Sequence, residues 1–169
     1  MSDEHARDAR AVRPPTLLGG EALPGLTKTE PEDFRVEELP AYAPAGEGEH
    51  CFVHVEKRDL STREAVRRLA RALDVAPRDV GTAGQKDRRA ITTQWMSFPG
   101  VDPADATARA ADAGLGEGEA WLRVLDAARH PKKLKTGHLR GNRFVLRVRG
   151  VDAAREAEAD RRLAELGTA

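Results

Sequence analysis

Cysteine and aromatic residues are scarce in this chain of 169 residues, and its formal net charge is zero. The single cysteine, Cys51, excludes an internal disulfide and any metal site made of cysteines alone. Within the run CFVHVEK we expect it to pack as a small apolar residue rather than to act as a nucleophile. Basic and acidic residues number 28 each, so the overall charge does not indicate a nucleic acid or a membrane as partner.

Long apolar runs are missing as well. No stretch approaches the roughly 20 apolar residues that a helix needs to span a bilayer. The first residues, MSDEHARDARAVRPP, are charged and lack the apolar segment of a signal peptide. We therefore expect a soluble, cytoplasmic protein without a membrane partner, in which residues 1–20 form a flexible tail.

Charge is segregated along the chain although its total is balanced. Residues 30–49 carry seven acidic side chains and one basic side chain, Arg35. Residues 129–150 carry eight lysines and arginines and no acid. A basic segment without acids is typical of a surface that contacts phosphate groups, so this segment is the candidate for binding a nucleic acid.

Apolar periodicity predicts five strands, and capping residues predict three helices. The helices begin after Ser61, Asp102 and Asp152. The strands are predicted at residues 34–39, 51–57, 91–98, 121–127 and 142–149. Because strands and helices do not alternate regularly, we predict an α+β domain. Three arginines on the first helix, at positions 63, 67 and 71, are interpreted as a solvated face, with RNA contact as the alternative.

The run VGTAGQKDRRAITTQWMSF, from Val80 to Phe98, carries the most specific chemical pattern. Its glycines, Gly81 and Gly84, allow a positive φ or a close approach to another segment. Lys86 precedes Asp87, and a neighbouring ammonium favours an ionised carboxylate. Such a carboxylate can attack a sugar C1′ where an aromatic wall excludes water. From the residues alone the simpler interpretation is favoured, in which Asp87 caps the turn RRA and Lys86 is a surface charge.

Other chemistries fit the sequence poorly. Gln85 interrupts a phosphate-binding loop of the Walker type, and Asp87 stands where that loop needs serine or threonine. His50 and His54 are four residues apart on a strand, and no cysteine or carboxylate cluster completes a zinc site around them. We therefore expect no metal and no nucleotide cofactor.

The run around Asp87 resembles the signature of the TruD family of pseudouridine synthases. Seven residues match the family motif A-G-x-K-D-x-x-A-x-T-x-Q: Ala83, Gly84, Lys86, Asp87, Ala90, Thr92 and Gln94. Three further segments resemble family segments in the same order: KTEPEDFRVEEL, GEGEHCFVHVEKRDLSTREAVRRLA and ARHPKKLKTGHLRGNRFVLRVRG. The matches extend over residues 28–150, so the chain is identified as a member of this family.

The resemblance implies isomerisation of a uridine to pseudouridine in tRNA, at uridine 13, without a cofactor. By this resemblance Asp87 is the essential aspartate, which attacks the sugar or abstracts a proton from it. Lys28 matches the basic residue that pairs with that aspartate. Phe144 matches the aromatic residue that stacks on the target base, although periodicity alone would assign it to the core. Asn142 matches its polar neighbour, and Lys86 is a further motif residue of the substrate site.

The resemblance also implies the pseudouridine synthase fold, a mixed, mostly antiparallel sheet with flanking helices. Residues 21–169 are expected to form only the N-terminal part of that catalytic domain, since the family's second half has no counterpart here. We expect a monomer with tRNA as partner. The basic residues expected to contact the RNA backbone are Lys132, Lys133, Lys135, Arg140 and Arg143. Two alternatives stay open: an inactive RNA-binding remnant, and a glycosidase, for which a second acid is lacking.

Overall fold

A six-stranded mixed sheet lies within the unit formed by residues 26–149 of the structure, a computed structural model that describes Leu23 and residues 25–166. The strands of this sheet are β2 (Phe34–Pro40), β3 (His50–Arg58), β4 (Gly81–Thr82), β5 (Ile91–Pro99), β6 (Trp121–His130) and β7 (Leu139–Leu146). Their order is β6-β3-β5-β2-β7, and β4 pairs with β5. Only β2 and β5 run parallel; the other pairs are antiparallel. The predicted tail, residues 1–20, lies outside the described residues.

Three α-helices and two short 3₁₀ helices complete the described part. The α-helices are α1 (Thr62–Leu73), α2 (Pro103–Asp112) and α3 (Ala153–Leu166), and the 3₁₀ helices are Pro31–Asp33 and Pro77–Asp79. All three predicted caps are present, at Ser61, Asp102 and Asp152. None of the helices within residues 25–166 is both long and apolar enough to cross a membrane.

The α+β class is confirmed, and alternation along β3 separates the two faces of its sheet. Cys51, Val53 and Val55 are fully buried in one cluster with Leu69 and Leu73 of α1. Burial raises the pKa of the Cys51 thiol to about 11, so little thiolate forms at neutral pH and the expected packing role holds.

The opposite face of the sheet is more polar and aromatic. Phe52 belongs to a second, smaller cluster with Ala83 and Leu134. The indole of Trp95 packs against this cluster and stacks on His54, with ring centroids 4.8 Å apart. The two clusters show which strand residues share a face, because successive side chains point to opposite sides of a sheet.

The strand predicted over residues 142–149 is two strands in the structure. β7 ends at Leu146, and β8 (Val148–Arg149) pairs with β1 (Leu26–Thr27) in a separate ladder. The pairing of β7 stops where β2 begins, because the 3₁₀ helix Pro31–Asp33 directly precedes Phe34. Asp33 is fully buried, and its backbone oxygen still accepts a hydrogen bond from Arg147 N at 2.7 Å. The Arg149 guanidinium, 2.8 Å from the Asp33 carboxylate, holds the pKa of that carboxyl below its usual range.

We expect Leu69→Ala to lower the free energy of unfolding by about 2 to 5 kcal/mol, because it leaves a cavity under α1. Leu69 is fully buried in the cluster that joins α1 to the sheet. Arg67→Ala, an exposed change on the same helix, should alter the free energy by no more than about 0.5 kcal/mol. Urea denaturation of both variants measures the difference. Equal effects would contradict the assigned core.

Candidate active site

Asp87 contacts Lys28, the first of a row of side chains that come from two segments distant in the sequence. Its Oδ1 lies 3.6 Å from Lys28 Nζ, and the two side chains are 48% and 42% exposed. Lys28 Nζ lies 3.8 Å from the centroid of the Phe34 ring. That ring stacks on Phe144 with centroids 6.0 Å apart and an interplanar angle of 4°. These four residues, the Asp87 row, place a carboxylate, a cation and two rings next to one another.

Lys28 is held in an unusual backbone conformation. Its φ is +54°, in the left-handed region that residues other than glycine rarely adopt. The next residue is fixed by Arg89, whose Nη2 donates to Thr29 O at 2.8 Å. The segment that follows Asp87 therefore holds the segment that carries its cation. Strain of this kind is found most often at functional sites.

Lys86 points away from Asp87, into a buried ion pair. Its Nζ lies 2.9 Å from Glu38 Oε2, and the two side chains are only 4% and 1% exposed. The other oxygen, Glu38 Oε1, accepts a hydrogen bond from Trp95 N at 3.0 Å. The cation beside Asp87 is thus Lys28, whereas Lys86 anchors the loop to β2. The interpretation of Lys86 as a surface charge is wrong.

The backbone of the loop is fixed by side chains from α1 and β5. Thr62 Oγ1 accepts from Lys86 N at 2.8 Å and donates to Gln94 Oε1 at 3.0 Å. Gln94 Nε2 in turn donates to Gly84 O at 3.5 Å. Several motif residues are therefore buried supports of the loop, and Asp87 is its exposed member.

Lys57 is a functional candidate that the sequence analysis missed. It is fully buried, and its Nζ donates to Leu60 O at 2.5 Å and to Asp87 O at 2.8 Å. Burial lowers the pKa of its ammonium to about 8. The alternation that places Cys51, Val53 and Val55 on the core face also places residue 57 there, and a lysine at such a position was the available signal.

Asn142 lies beside the buried ion pair. It is the register partner of Glu38 across the β2–β7 ladder. Its Oδ1 is buried and has no hydrogen-bond partner within residues 25–166. A buried amide oxygen that lacks a donor is an acceptor that a ligand can satisfy.

Phe144 is exposed rather than buried, against the expectation from periodicity. Its exposed fraction is 60%, and its only ring contact among the described residues is with Phe34. One face of the ring therefore stays accessible to a ligand. The capping interpretation of Asp87 also fails, since in the described part no hydrogen bond joins its carboxylate to residues 88–90.

Of the two glycines in the loop, Gly81 is required by close packing and Gly84 is not. A Cβ at Gly81 would lie 2.2 Å from Leu134 O, so this position requires the close approach that only glycine allows. At Gly84 a Cβ would meet nothing nearer than Lys86 Nζ at 3.6 Å, which is ordinary contact. Neither glycine has a positive φ.

The five residues expected to contact the RNA backbone fall into two groups. Lys132, Lys133 and Lys135 line one cavity, away from the Asp87 row. Arg140 is exposed on β7, and Arg143 Nη1 lies 3.5 Å from Glu37 Oε2 in an exposed ion pair. Across the described ranges no group of three metal-binding side chains occurs.

Comparison with known proteins finds one family. The family model described as tRNA pseudouridine synthase D (TruD) matches residues 17–168. A tRNA pseudouridine synthase D of Anaeromyxobacter dehalogenans strain 2CP-C is 51% identical over 143 residues, which are 85% of this chain and 39% of that protein. One from Geobacter sp. strain M21 is also 51% identical, over 80% of this chain and 32% of its own length.

A solved structure agrees with this match. The crystal structure of the putative tRNA pseudouridine synthase D of Methanosarcina mazei superimposes with a TM-score of 0.68 at 33% identity. The match covers 82% of this chain and 30% of that one. The chain thus spans well under half the length of the relatives it resembles, and the expected partial fold is confirmed.

We expect Lys86→Met to lower the free energy of unfolding by about 3 to 5 kcal/mol, because it leaves the Glu38 carboxylate buried without a cation. The double variant Glu38→Gln/Lys86→Met removes both charges and should be less destabilised than the single variant. Chemical denaturation of these two variants and of Glu38→Gln alone measures the coupling. If the destabilisation of the double variant equals the sum of those of the two single variants, Lys86 and Glu38 are not coupled.

Lys57 should make stability depend on pH. Its pKa is about 8 in the folded chain against an ordinary 10.5, so between these values the unfolded state binds more protons. The free energy of unfolding therefore gains a contribution that rises with pH across this window. Subtracting the values for Lys57→Met isolates that contribution. The difference should be flat from pH 6 to about 7 and rise from about pH 8; a flat difference throughout would refute the shift.

Proposed function

Because this chain belongs to the TruD family of tRNA pseudouridine synthases, we propose that the full-length protein isomerises a uridine of tRNA to pseudouridine, with Asp87 as catalytic residue and uridine 13 as target. The observation that carries the proposal is the Asp87 row. It joins a partly exposed carboxylate, its cation Lys28 and the accessible ring of Phe144.

Asp87 is suited to act at the sugar. The reaction breaks the bond between N1 and C1′ and joins C5 to C1′, while C5 loses a proton and N1 gains one. The carboxylate either attacks C1′ or takes a proton from the sugar, and in both cases the ammonium of Lys28 lies 3.6 Å from it. Lys57 and Thr62 act as positioning residues, since they hold the backbone on either side of the Asp87 carboxylate.

Phe144 and Asn142 are suited to hold the base. A base within an RNA helix must be extruded before chemistry at its sugar, and an extruded base needs a stacking partner. Phe34 covers one face of Phe144, so the base stacks on the other. The uracil ring offers an N3–H donor, which the unpaired Oδ1 of Asn142 can accept.

Lys86 serves the substrate indirectly. Its ammonium is held by Glu38 and has little exposed surface, so it fixes the loop that presents Asp87 instead of binding the uridine. The same pair weakens the glycosidase alternative, because Glu38 is buried with its cation and is not a free second acid. A tRNA substrate also favours a cytoplasmic location for the protein. Its monomeric state stays a prediction.

Tritium release from tRNA labelled at C5 of uridine tests the proposal. The full-length protein should release tritium, and Asp87→Asn should reduce the rate by a factor on the order of 10⁴ or more, as loss of an essential catalytic group does. Asp105→Asn, an exposed carboxylate change on α2, is the matched control and should release tritium at the normal rate. Undiminished release by Asp87→Asn would rule out Asp87 as catalyst.

The position of the target is tested with a second substrate. A tRNA in which cytidine replaces uridine 13 should release no tritium with the unchanged protein. Release at the normal rate from this tRNA would contradict uridine 13 while leaving the isomerisation itself intact.

A further inference from the structure

An aromatic and basic cavity of about 790 Å³ lies at the start of β3. Tyr42 and His130 stack in its wall with ring centroids 5.2 Å apart and an interplanar angle of 18°. His138 meets Tyr42 edge-on, and its Nδ1 lies 2.7 Å from the Tyr42 hydroxyl. The hydroxyl is thus held in place while 37% of Tyr42 stays exposed. We call this space the Tyr42 cavity.

The Tyr42 cavity is separate from the Asp87 row. Its rings pack against Phe52, which belongs to the face of β3 opposite Lys57. His50 lines the cavity at one end of β3, and Lys57 contacts the Asp87 backbone near the other end. Seven residues of strand extend over about 23 Å, so one nucleotide cannot occupy both places.

The charge in the Tyr42 cavity is of one sign. Lys132, Lys133 and Lys135 line it, and no carboxylate does. Within residues 25–166, Lys132 and Lys135 form no ion pair, whereas Lys133 Nζ donates to Arg78 O at 3.2 Å. Two lysines are therefore available for an anion.

Ring nitrogens of the same cavity also lack partners. In the described part of the chain, the buried Nδ1 atoms of His50 and His130 have no hydrogen bond. Burial lowers the pKa of His130, so its ring is mostly neutral at neutral pH and can stack or exchange a hydrogen bond. Because these two nitrogens are buried, the cavity itself offers a flat aromatic wall and two lysines without an ion pair to any described residue.

That combination selects a class of ligand. A divalent metal is disfavoured because no carboxylate lines the cavity and lysines would repel it. A purely apolar molecule would leave the lysines without partners. A nucleotide satisfies both features, since its base stacks on an aromatic ring and its phosphate pairs with lysine.

We propose that the Tyr42 cavity binds one unstacked nucleotide of the RNA substrate other than the target uridine. Its base lies against Tyr42, and its phosphate pairs with Lys132 and Lys135. The choice of RNA rests on the proposed function. It is also favoured by the basic segment 129–150, which runs on from the cavity into β7 and would follow a polyanionic chain. A free mononucleotide has the same chemistry and is the competing source.

Equilibrium binding of a tRNA transcript to the full-length protein tests the ring. Tyr42→Ala should weaken binding by about 5- to 150-fold, the range for removal of one base-stacking ring. Tyr42→Phe keeps the ring and should bind within about threefold of the unchanged protein. Circular dichroism and thermal melting of both variants check folding. Unchanged affinity in a folded Tyr42→Ala variant would overturn the proposal, and so would equal losses in the two variants.

The salt dependence of the same binding tests the lysines. Lys132→Gln/Lys135→Gln should reduce the slope of log K against log salt by about 1.4, or 0.7 for each lost phosphate contact to a single strand. Lys132→Arg/Lys135→Arg keeps both charges and should keep the slope. A slope that the glutamine variant leaves unchanged would overturn the phosphate contact.

Titration of uridine monophosphate into the same proteins distinguishes a nucleotide of the RNA from a free mononucleotide as the ligand of the Tyr42 cavity. If Tyr42→Ala loses the mononucleotide but keeps tRNA affinity, the cavity takes a free nucleotide and the proposal is wrong. These measurements need no turnover, so failure of the cavity is distinct from failure of the isomerase. If the protein releases tritium but binds tRNA equally well with and without the Tyr42 ring, only the proposal for the cavity is refuted. If tRNA binding depends on Tyr42 but no tritium is released, only the proposed isomerase activity is refuted. No tRNA binding by the unchanged protein would overturn both.

Discussion

The buried ion pair between Lys86 and Glu38 is the contact on which the arrangement of the Asp87 row depends. Two charges removed from water are stable only together, so the pair tolerates little displacement of either partner. Lys86 belongs to the loop that presents Asp87, and Glu38 belongs to β2, whose ladder with β7 carries Asn142 and Phe144. One interaction therefore fixes the carboxylate relative to the residues proposed to hold the base. The other oxygen of Glu38 binds Trp95 N and ties the same loop to β5.

Sequence periodicity predicts where the helices and strands lie, but it does not predict which distant side chains contact one another. The capping box of Ser61 and the alternation of β3 predicted α1 and the buried face, because both are local properties of the chain. The pairing of Lys86 with Glu38 is not local. Lys86 and Asp87 separate although they are neighbours, because the first pairs with Glu38 and the second with Lys28. The break after Leu146 likewise depends on another part of the chain, since β7 loses its partner where β2 begins at Phe34.

The same limit applies to the candidate site, where sequence patterns predict single residues but not the contacts that hold them. By resemblance, the motif around Asp87 and the segment around Phe144 predict the candidate catalytic and base-stacking residues, but not the residues that support them. A lysine in a strand is usually solvated, so residue type alone does not indicate that Lys57 is buried. Only its position on the core face of β3 does. Periodicity alone would assign Phe144 to the core with its apolar neighbours, whereas β7 is an outer strand of the described sheet and leaves the ring exposed. Edge position is a property of the whole sheet and cannot be read from one strand.

A crystal structure of the full-length Asp87→Asn protein bound to tRNA tests the central claim most directly. We expect this substitution to halt turnover, so that the distance from the residue 87 side-chain oxygen to C1′ of the bound uridine can be measured. We expect about 3 to 3.5 Å, the separation of reacting atoms in a productive complex, with the uracil stacked on Phe144. A uridine bound elsewhere, or a C1′ that faces a different carboxylate, would contradict the assignment of Asp87 as the group that acts at the sugar.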